Sequence, residues 1–477
     1  MFKIQQLMSL FLQLVKGIIY ALGSASSMVE LEKDVQKLVQ QIAARLLEFS
    51  LNEIDTRLSK KKEPGKYKNL GIRSRPLLTT VGEIELKRRY YKDRETGEHH
   101  FLLDESLGLV PRRRISPRLE RMMLEMGTET TFRKASNTLE YLVPGISHAT
   151  VWDEVQRAGA RAKQEAEEKQ GELFEDGVIP EGKRSVNSLN IEADGVMIRQ
   201  QRSTTRHKEV KLIVGYESKE HVSQERKRLI NRKTVAGAAD GNTIWEQASA
   251  IFGGEWQFDG EEKIRIGGDG AAWVKEGTDV FPGATYHLDL FHLRKRLTEA
   301  LGFNKNYYQT VAEKLYEIDL DGLKEALGSI LKKTKGEAKR KKVANLQKYI
   351  LNNWEGISNL PKEDRLGVIE GQVRHTIARR MKGIGGGWSS TGTDHMARLL
   401  AAKANNELVK YSGVSDGYKR DQIASVLPKT LVDPRSKSSK KDTNEWLAAA
   451  MPVLEGPSSG KTWVKYVLRQ LTSVRIA

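Results

Sequence analysis

Two aspartates stand where the sequence makes ionised groups costly, and a glutamate on a helix expected beside their strands is the best candidate for a third carboxylate. Asp194 lies inside the alternating run Asn190-Ile191-Glu192-Ala193-Asp194-Gly195-Val196, and Asp269 closes a short apolar stretch between Gly268 and Gly270. Glu370 follows much later, in Gly367-Val368-Ile369-Glu370-Gly371-Gln372-Val373-Arg374-His375. Carboxylates brought within a few ångströms of one another repel unless a cation lies between them. Three of them can hold two Mg²⁺ or Mn²⁺ ions about 3.5–4 Å apart, with water and phosphate oxygens completing the shells. One such ion activates a water or a 3′-hydroxyl, and the other stabilises the leaving oxygen. The glycines beside each aspartate leave room for a phosphodiester backbone. Plainer readings exist for each residue. An Asp-Gly pair is most often a turn, and Asp176-Gly177, Asp240-Gly241, Asp259-Gly260 and Asp321-Gly322 are further examples. A glutamate at a helix start commonly complements the helix dipole. Glu192 shares the strand face of Asp194 and is either an auxiliary ligand or a decoy.

The elements that must position these acids read as follows. Strands are expected at Leu189–Gln200, Glu209–Tyr216 and Lys227–Val235, then a helix at Thr243–Phe252 and a short buried strand at Lys263–Gly267. A helix beginning at Ala271, a strand at Thr285–Leu290 and a helix at Phe291–Ala300 complete the series. Three strands, helix, strand, helix, strand, helix is the order of a ribonuclease-H-like α/β domain. In that order the first and fourth strands are neighbours, which brings Asp194 beside Asp269. Residues 307–354 read as helical, with Val311, Leu315, Ile318, Leu323, Leu327 and Ile330 forming an apolar stripe.

Upstream, Leu31–Leu58 carries apolar residues at spacings of three and four, an amphipathic helix closed by Pro64-Gly65. Leu77–Tyr91 alternates as a strand with a turn at Val81-Gly82. Its Arg88 and Arg89, between Lys87 and Tyr90-Tyr91-Lys92, suit either a phosphate-contacting strand or an edge strand guarded by charge. Phe132–Leu142 reads as a helix, Val143-Pro144-Gly145-Ile146 as a turn, and Ser147 as the N-cap of a second helix. That is helix-turn-helix geometry, with His148, Thr150 and Arg157 facing a groove; a simple helical hairpin is the other reading.

The chain has 477 residues, with 79 Lys+Arg against 62 Asp+Glu and a net charge of +17. Its hydrophobic content of 39% fits several folded domains rather than a disordered chain. An anionic partner is expected, nucleic acid foremost. The run Lys339, Arg340, Lys341, Lys342 is either a solvated helix face or a contact for a nucleic-acid backbone. Cysteine is absent, which excludes disulfide scaffolds, thiol nucleophiles and Cys-ligated zinc. No apolar run is long enough for a spanning helix, so no membrane is expected. Met1–Ser27 loosely resembles a secretory leader, but Gln5, Gln6, Gln13 and Lys16 interrupt it, and an amphipathic helix is the better reading. Met28 reads as a second candidate start.

Taken together, the motifs resemble those of bacterial insertion-sequence transposases of the ISLre type, distant relatives of the Mutator-like transposases. The resemblance runs over roughly residues 29–412. It is carried by Val81-Gly82-Glu83 with Arg89-Tyr90-Tyr91, Phe101-Leu102-Leu103-Asp104-Glu105, Glu192-Ala193-Asp194-Gly195-Val196 and Gly268-Asp269-Gly270-Ala271-Ala272-Trp273. Glu370-Gly371, Gly387-Trp388-Ser389-Ser390-Thr391-Gly392 and Met396-Ala397-Arg398-Leu399 complete it. The resemblance implies a DDE catalytic domain with a helical insertion before the last acid, with Asp194, Asp269 and Glu370 as catalytic and metal-binding residues for two Mg²⁺ or Mn²⁺ ions. It also implies an Asp-x-x-His element, met by Asp289 and His292, although His292 is equally a helix-start residue bonded to Asp289.

The expected fold class is therefore multidomain, α+β and α/β. Its parts are an N-terminal helical region (1–60), a small β region (61–115), a helix-turn-helix with connector helix (116–170), the catalytic domain (185–300 and 363–412), the helical insertion (301–362) and a tail (413–477). The expected reaction frees a 3′-hydroxyl at an element end and joins it to target DNA. The expected partners are double-stranded DNA, as terminal inverted repeats and target, and a second copy of the chain on that DNA, in the bacterial cytoplasm at the nucleoid. A DNA-binding regulator without catalysis and a ribonuclease-H-like nuclease are the alternatives.

Overall fold

The computed structural model describes residues 4–223, 227–361, 365–383 and 386–413. Of the expected tail (413–477), all but residue 413 lies outside them. The described chain is a mixed α and β protein of two compact units. The smaller takes in Asn52–Gly71 and Arg89–Leu107, where Tyr90 stacks on His99 with ring centroids 5.1 Å apart. The larger holds the five-stranded sheet, the helices packed on it and the acidic cluster described below.

The N-terminal helices are α1 (Ile4–Ser24) and α2 (Met28–Lys61), the latter enclosing the expected Leu31–Leu58. Strands β1 (Tyr67–Thr79) and β2 (Gly82–Asp93) follow, with the turn at Thr80-Val81 just before Gly82, which takes a φ of 113°. Three helices come next: α3 (Pro117–Glu129), α4 (Phe132–Glu140) and α5 (His148–Phe174). Ser116, Thr131 and Ser147 cap them in turn, each side-chain oxygen accepting a backbone N–H of the first helical turn. Leu119, Met123, Ala135, Leu139, Val143, Ile146 and Val151 are the core these helices share. The connector expected beyond Arg161 is no separate element: α5 runs unbroken through it.

Strands β3 (Ser188–Arg199), β4 (His207–Tyr216), β5 (Lys233–Gly237), β6 (Lys263–Gly268) and β7 (Thr285–Leu288) form one sheet in the order β7-β6-β3-β4-β5. β3, β6 and β7 are parallel, and β4 is antiparallel to both of its neighbours. The expected strand Lys227–Val235 is broken: Asn231 adopts a φ of 50°, so Lys227–Ile230 pairs with Ser218–His221 and only the second half enters the sheet.

Both faces of the sheet are covered, as strands buried on two sides require. Leu189, Ile191, Ala193, Ile213, Ile264 and Ile266 pack on one face against α6 (Gly241–Gly253) and α7 (Leu290–Leu301). That core continues into α8 (Lys305–Tyr316), α9 (Leu320–Lys333) and α10 (Glu337–Asn352), the helices that replace the single stretch expected at 307–354. Val196, Ile198, Val210, Leu212 and Tyr216 face the other way, against α5, α11 (Ile369–Val373) and α12 (Ser390–Ala404). Each fully buried large side chain, such as Trp245 or Phe252, contributes about 1.5–3 kcal/mol. Because side chains alternate along a strand, Glu192 and Asp194 share this second face with Val196, directly under α11.

Candidate metal centre and nucleic-acid surface

Strand register sets the first pair of acids. Gly268 pairs with Ala193 in the parallel β6–β3 ladder, so the next residue of β6's path, Asp269, is level with Asp194. Asp289 follows the last residue of β7, whose Leu288 pairs with Gly268. Asp269 and Asp289 thus emerge at the carboxyl ends of adjacent parallel strands, the customary place for sites in open α/β sheets. The backbone at Asp269 is shaped for this. Gly270 has a φ of 94°, and a Cβ there would lie 2.7 Å from Asn353 Oδ1. Ala271 donates its N–H to Asp269 Oδ1 at 2.9 Å, and Tyr349 Oη of α10 donates to the Asp269 carbonyl at 2.8 Å. The Arg296 guanidinium sits over the Tyr349 ring, 4.3 Å from its centroid. The helical insertion therefore buttresses the Asp269 turn.

Asp194, His292 and Glu370 come together: each offers a ligand atom within 4.8 Å of the others. Asp269 lies outside that cluster, yet its charge reaches it. Burial is the main force on Asp194, and together with the charges of Asp269 and Glu370 it pushes the Asp194 carboxyl up to about 6. An N–H of Gly195, 2.7 Å from Asp194 Oδ1, and the nearby His292 oppose that rise. His292 stands on the first turn of α7 with Nδ1 3.1 Å from Asp289 Oδ2. That hydrogen bond, followed by the charges of Asp289, Asp194 and Asp269, holds its pKa above the ordinary value against partial burial. The same Asp289 caps α7, accepting the Phe291 N–H at 2.8 Å. With Nδ1 engaged, Nε2 is the imidazole atom left to act.

Glu192 is no ligand in this arrangement. Its Oε2 accepts the N–H groups of Gly367, Val368 and Ile369 at 2.8, 2.8 and 3.2 Å, and its Oε1 accepts Tyr216 Oη at 2.6 Å. Sequence spacing pairs it with Asp194, but its partners are remote in the chain and no local signal points to them.

The basic residues meet different fates. Arg88 is buried, on the inward face that it shares with Ile84 and Leu86, so it offers no charge to an outside phosphate. Arg89 is turned onto Asp55, Nη1 to Oδ2 at 2.5 Å. Neither fits the phosphate-contacting role expected of it. On α5, His148 is exposed, and Thr150 is half-buried with its N–H donated to Ser147 Oγ at 3.0 Å. Arg157 is paired with Asp153 at 2.5 Å and Glu154 at 3.2 Å, which weakens it as a phosphate contact. Lys339, Arg340, Lys341 and Lys342 are all exposed on the first turns of α10. Sequence reading passed over Arg112, Arg114 and the exposed Trp152, which line a concave surface with Thr150 and Arg157. Three consecutive arginines, Arg112-Arg113-Arg114, were the available signal; Arg113 turns inward to Glu120 and Glu154 and anchors the other two.

A model of the Uncharacterised protein family UPF0236 matches residues 23–414, and the chain belongs to that family. A UPF0236 protein of Caldanaerobacter subterraneus subsp. tengcongensis, which carries eleven locus names, is 28% identical over 408 residues, covering 84% of this chain and 81% of the relative. A second from the same organism is 27% identical over 433 residues and covers 89% of each chain. The UPF0236 protein in the vanSb 3′ region of Streptococcus gallolyticus is 28% identical over 399 residues, covering 80% of this chain and 84% of the relative. Among the described residues no helix is long and apolar enough to cross a membrane.

Proposed function

We propose that this chain is a metal-dependent DNA transposase that frees a 3′-hydroxyl at an element end and joins it to target DNA. The observation that carries the reading is the convergence of Asp194, Glu370 and His292 within 4.8 Å, with Asp269 level with Asp194 on the next strand. Carboxylates this close repel one another, and a divalent cation between them would relieve that repulsion. The sheet supports the reading too: in chain order its strands lie 3-2-1-4-5 with the second antiparallel, the order of ribonuclease-H-like domains. So does the net charge of +17, and so does a relative that carries eleven locus names in one genome, as a self-copying gene would.

The donor set fits Mg²⁺ or Mn²⁺: carboxylate oxygens suit both, and an imidazole beside them suits Mn²⁺ better. Asp194, Asp269 and Glu370 would hold two such ions, which supply nucleophile activation and stabilisation of the leaving oxygen. The protein's own work is to keep Asp194 and Glu370 in register and to orient His292 through Asp289. With Nδ1 held by Asp289, His292 Nε2 would exchange a proton with a hydroxyl or water entering the cluster. The triple-helix segment α3–α5, with Arg112, Arg114 and Trp152, would read element ends as a helix-turn-helix, and a second copy would hold the other end.

The test is nicking and strand joining on supercoiled DNA carrying the gene's own flanking ends, with Mg²⁺ or Mn²⁺. Wild type is expected to give joined products, and Asp194→Asn, Asp269→Asn and Glu370→Gln to lose them. Nicking without joining would indicate a nuclease instead. DNA binding unaffected by the three substitutions and unaccompanied by cleavage would indicate a regulator.

A further inference from the structure

Glu192 is a buried acid, 1% exposed, on the same strand face as Asp194, and the chemistry proposed above leaves it unused. Its four hydrogen bonds join two things. Oε1 is fixed by Tyr216 Oη, from the antiparallel strand β4 that neighbours β3 in the sheet. Oε2 gathers the three consecutive N–H groups of Gly367, Val368 and Ile369, immediately before Glu370. These are the amides that a helix start leaves without intrahelical partners. The helix they open is weakly held by itself: α11 has five residues, its cap residue Val368 supplies no side-chain bond, and it continues into a π-turn at Arg374–Ala378. Space has been cleared for this contact, since a Cβ on Gly267 would lie 2.7 Å from Leu366 and 3.4 Å from Glu192 Cγ.

We infer that Glu192 is a positioning residue: it clamps the start of α11 to the sheet and so sets Glu370 against Asp194, without itself binding metal. Asp194 and Glu370 come from distant parts of the chain, and the helical insertion and Leu360–Leu366 lie between β7 and α11. Glu192 sits two residues from the first acid and binds the three amides before the last one, so a single side chain fixes their spacing. The inference rests on the metal-site reading of Asp194 and Glu370.

The test combines amide hydrogen exchange with Mn²⁺ titration of the purified full chain, free Mn²⁺ being counted by its electron paramagnetic resonance signal. Glu192→Gln keeps the length and one oxygen for the three amides, while its NH₂ donates to Tyr216. It is expected to keep the 367–369 amides protected and Mn²⁺ affinity within about threefold of wild type. Glu192→Ala is expected to speed exchange at 367–369 by about 100-fold or more, leave the β3 and β4 amides unchanged, and weaken Mn²⁺ about as much as Glu370→Gln does. If Glu192→Ala unfolds the sheet, Tyr216→Phe takes its place, with faster exchange at 367–369 and weaker Mn²⁺ binding expected together. Loss of Mn²⁺ in Glu192→Gln to the level of Asp194→Asn, with the amides still protected, would make Glu192 a ligand and overturn the clamp. Loosened amides with unchanged Mn²⁺ affinity would overturn it as well. A wild type that binds no Mn²⁺ would overturn the metal reading itself, and this inference with it, before any variant is compared.

Discussion

The backbone N–H of Asp289 donates to the carbonyl of Gly268 at 2.8 Å. That bond closes the β6–β7 ladder one residue before Asp269, at the point where both strands release their acids. Asp289 is then fixed three ways: by this N–H, by Oδ1 on the Phe291 amide and by Oδ2 on His292. One residue thus couples sheet register, the start of α7 and the orientation of the imidazole.

Asp289→Ala should therefore separate structure from chemistry only in part. Loss of the cap is expected to cost about 1 kcal/mol, a shift of a few degrees in Tm at most. The larger effect should be on His292, whose pKa should fall toward or below its ordinary value once the Asp289 hydrogen bond is gone. Imidazole NMR titration of wild type and variant reads this directly, and an unchanged His292 pKa would contradict the assignment.

Metal binding should depend on pH with a defined sign. The Asp194 carboxyl is pushed up to about 6, so below that pH a cation must displace its proton. Mn²⁺ affinity should rise with pH up to about 6 as Asp194 loses its proton. Without metal the same shift acts on stability. The folded chain holds this proton more tightly than the unfolded one, whose Asp titrates near 3.8. The Asp194 contribution to stability is therefore full below that value and is lost as pH rises through about 6. Denaturant midpoints of wild type and Asp194→Asn across this range, with and without Mn²⁺, measure both effects.

The motif Met396-Ala397-Arg398-Leu399 has a structural explanation. Arg398 Nε bonds Asp394 Oδ2 at 3.0 Å and its Nη1 bonds Gln247 at 3.0 Å, while Asp394 Oδ1 accepts the Ala238 N–H at 2.8 Å. The group ties α12 to α6 and to the residue following β5, at the β5 edge of the sheet. Arg398→Ala should cost about 3–5 kcal/mol by leaving Asp394 buried and unpaired. Arg398→Ala/Asp394→Ala should recover part of that loss in chemical denaturation.

DNA affinity should follow Arg112 and Arg114 rather than Arg88. Both are exposed beside Trp152, whereas Arg88 is buried. Arg112→Ala/Arg114→Ala should weaken binding and reduce the slope of log affinity against log salt by about two, one per phosphate contact. Fluorescence anisotropy at several salt concentrations gives the slope, and an unchanged slope would place the DNA elsewhere.

Much of this arrangement was legible in the sequence. Apolar periodicity located α2, and alternation located β3 and β4 almost to the residue. The two aspartates were visible because Asp194 interrupts an apolar strand and Asp269 closes one. What escaped reading was tertiary. The break at Asn231 depends on a positive φ that an asparagine tolerates and composition does not announce. Arg88 could have been placed by parity, since Ile84 and Leu86 share its face, but its interleaving with tyrosines suggested a surface. Glu192 was undecidable, because its role is set by amides far along the chain.

The central claim is that Asp194, Asp269 and Glu370 hold two divalent cations. Crystals grown with MnCl₂ and measured at the manganese absorption edge test it most directly. Two anomalous peaks are predicted among these carboxylates, about 3.5–4 Å apart, with the first contacted by Asp194 and Glu370. Manganese bound elsewhere, or none at this cluster in crystals that carry it at other sites, would contradict the account.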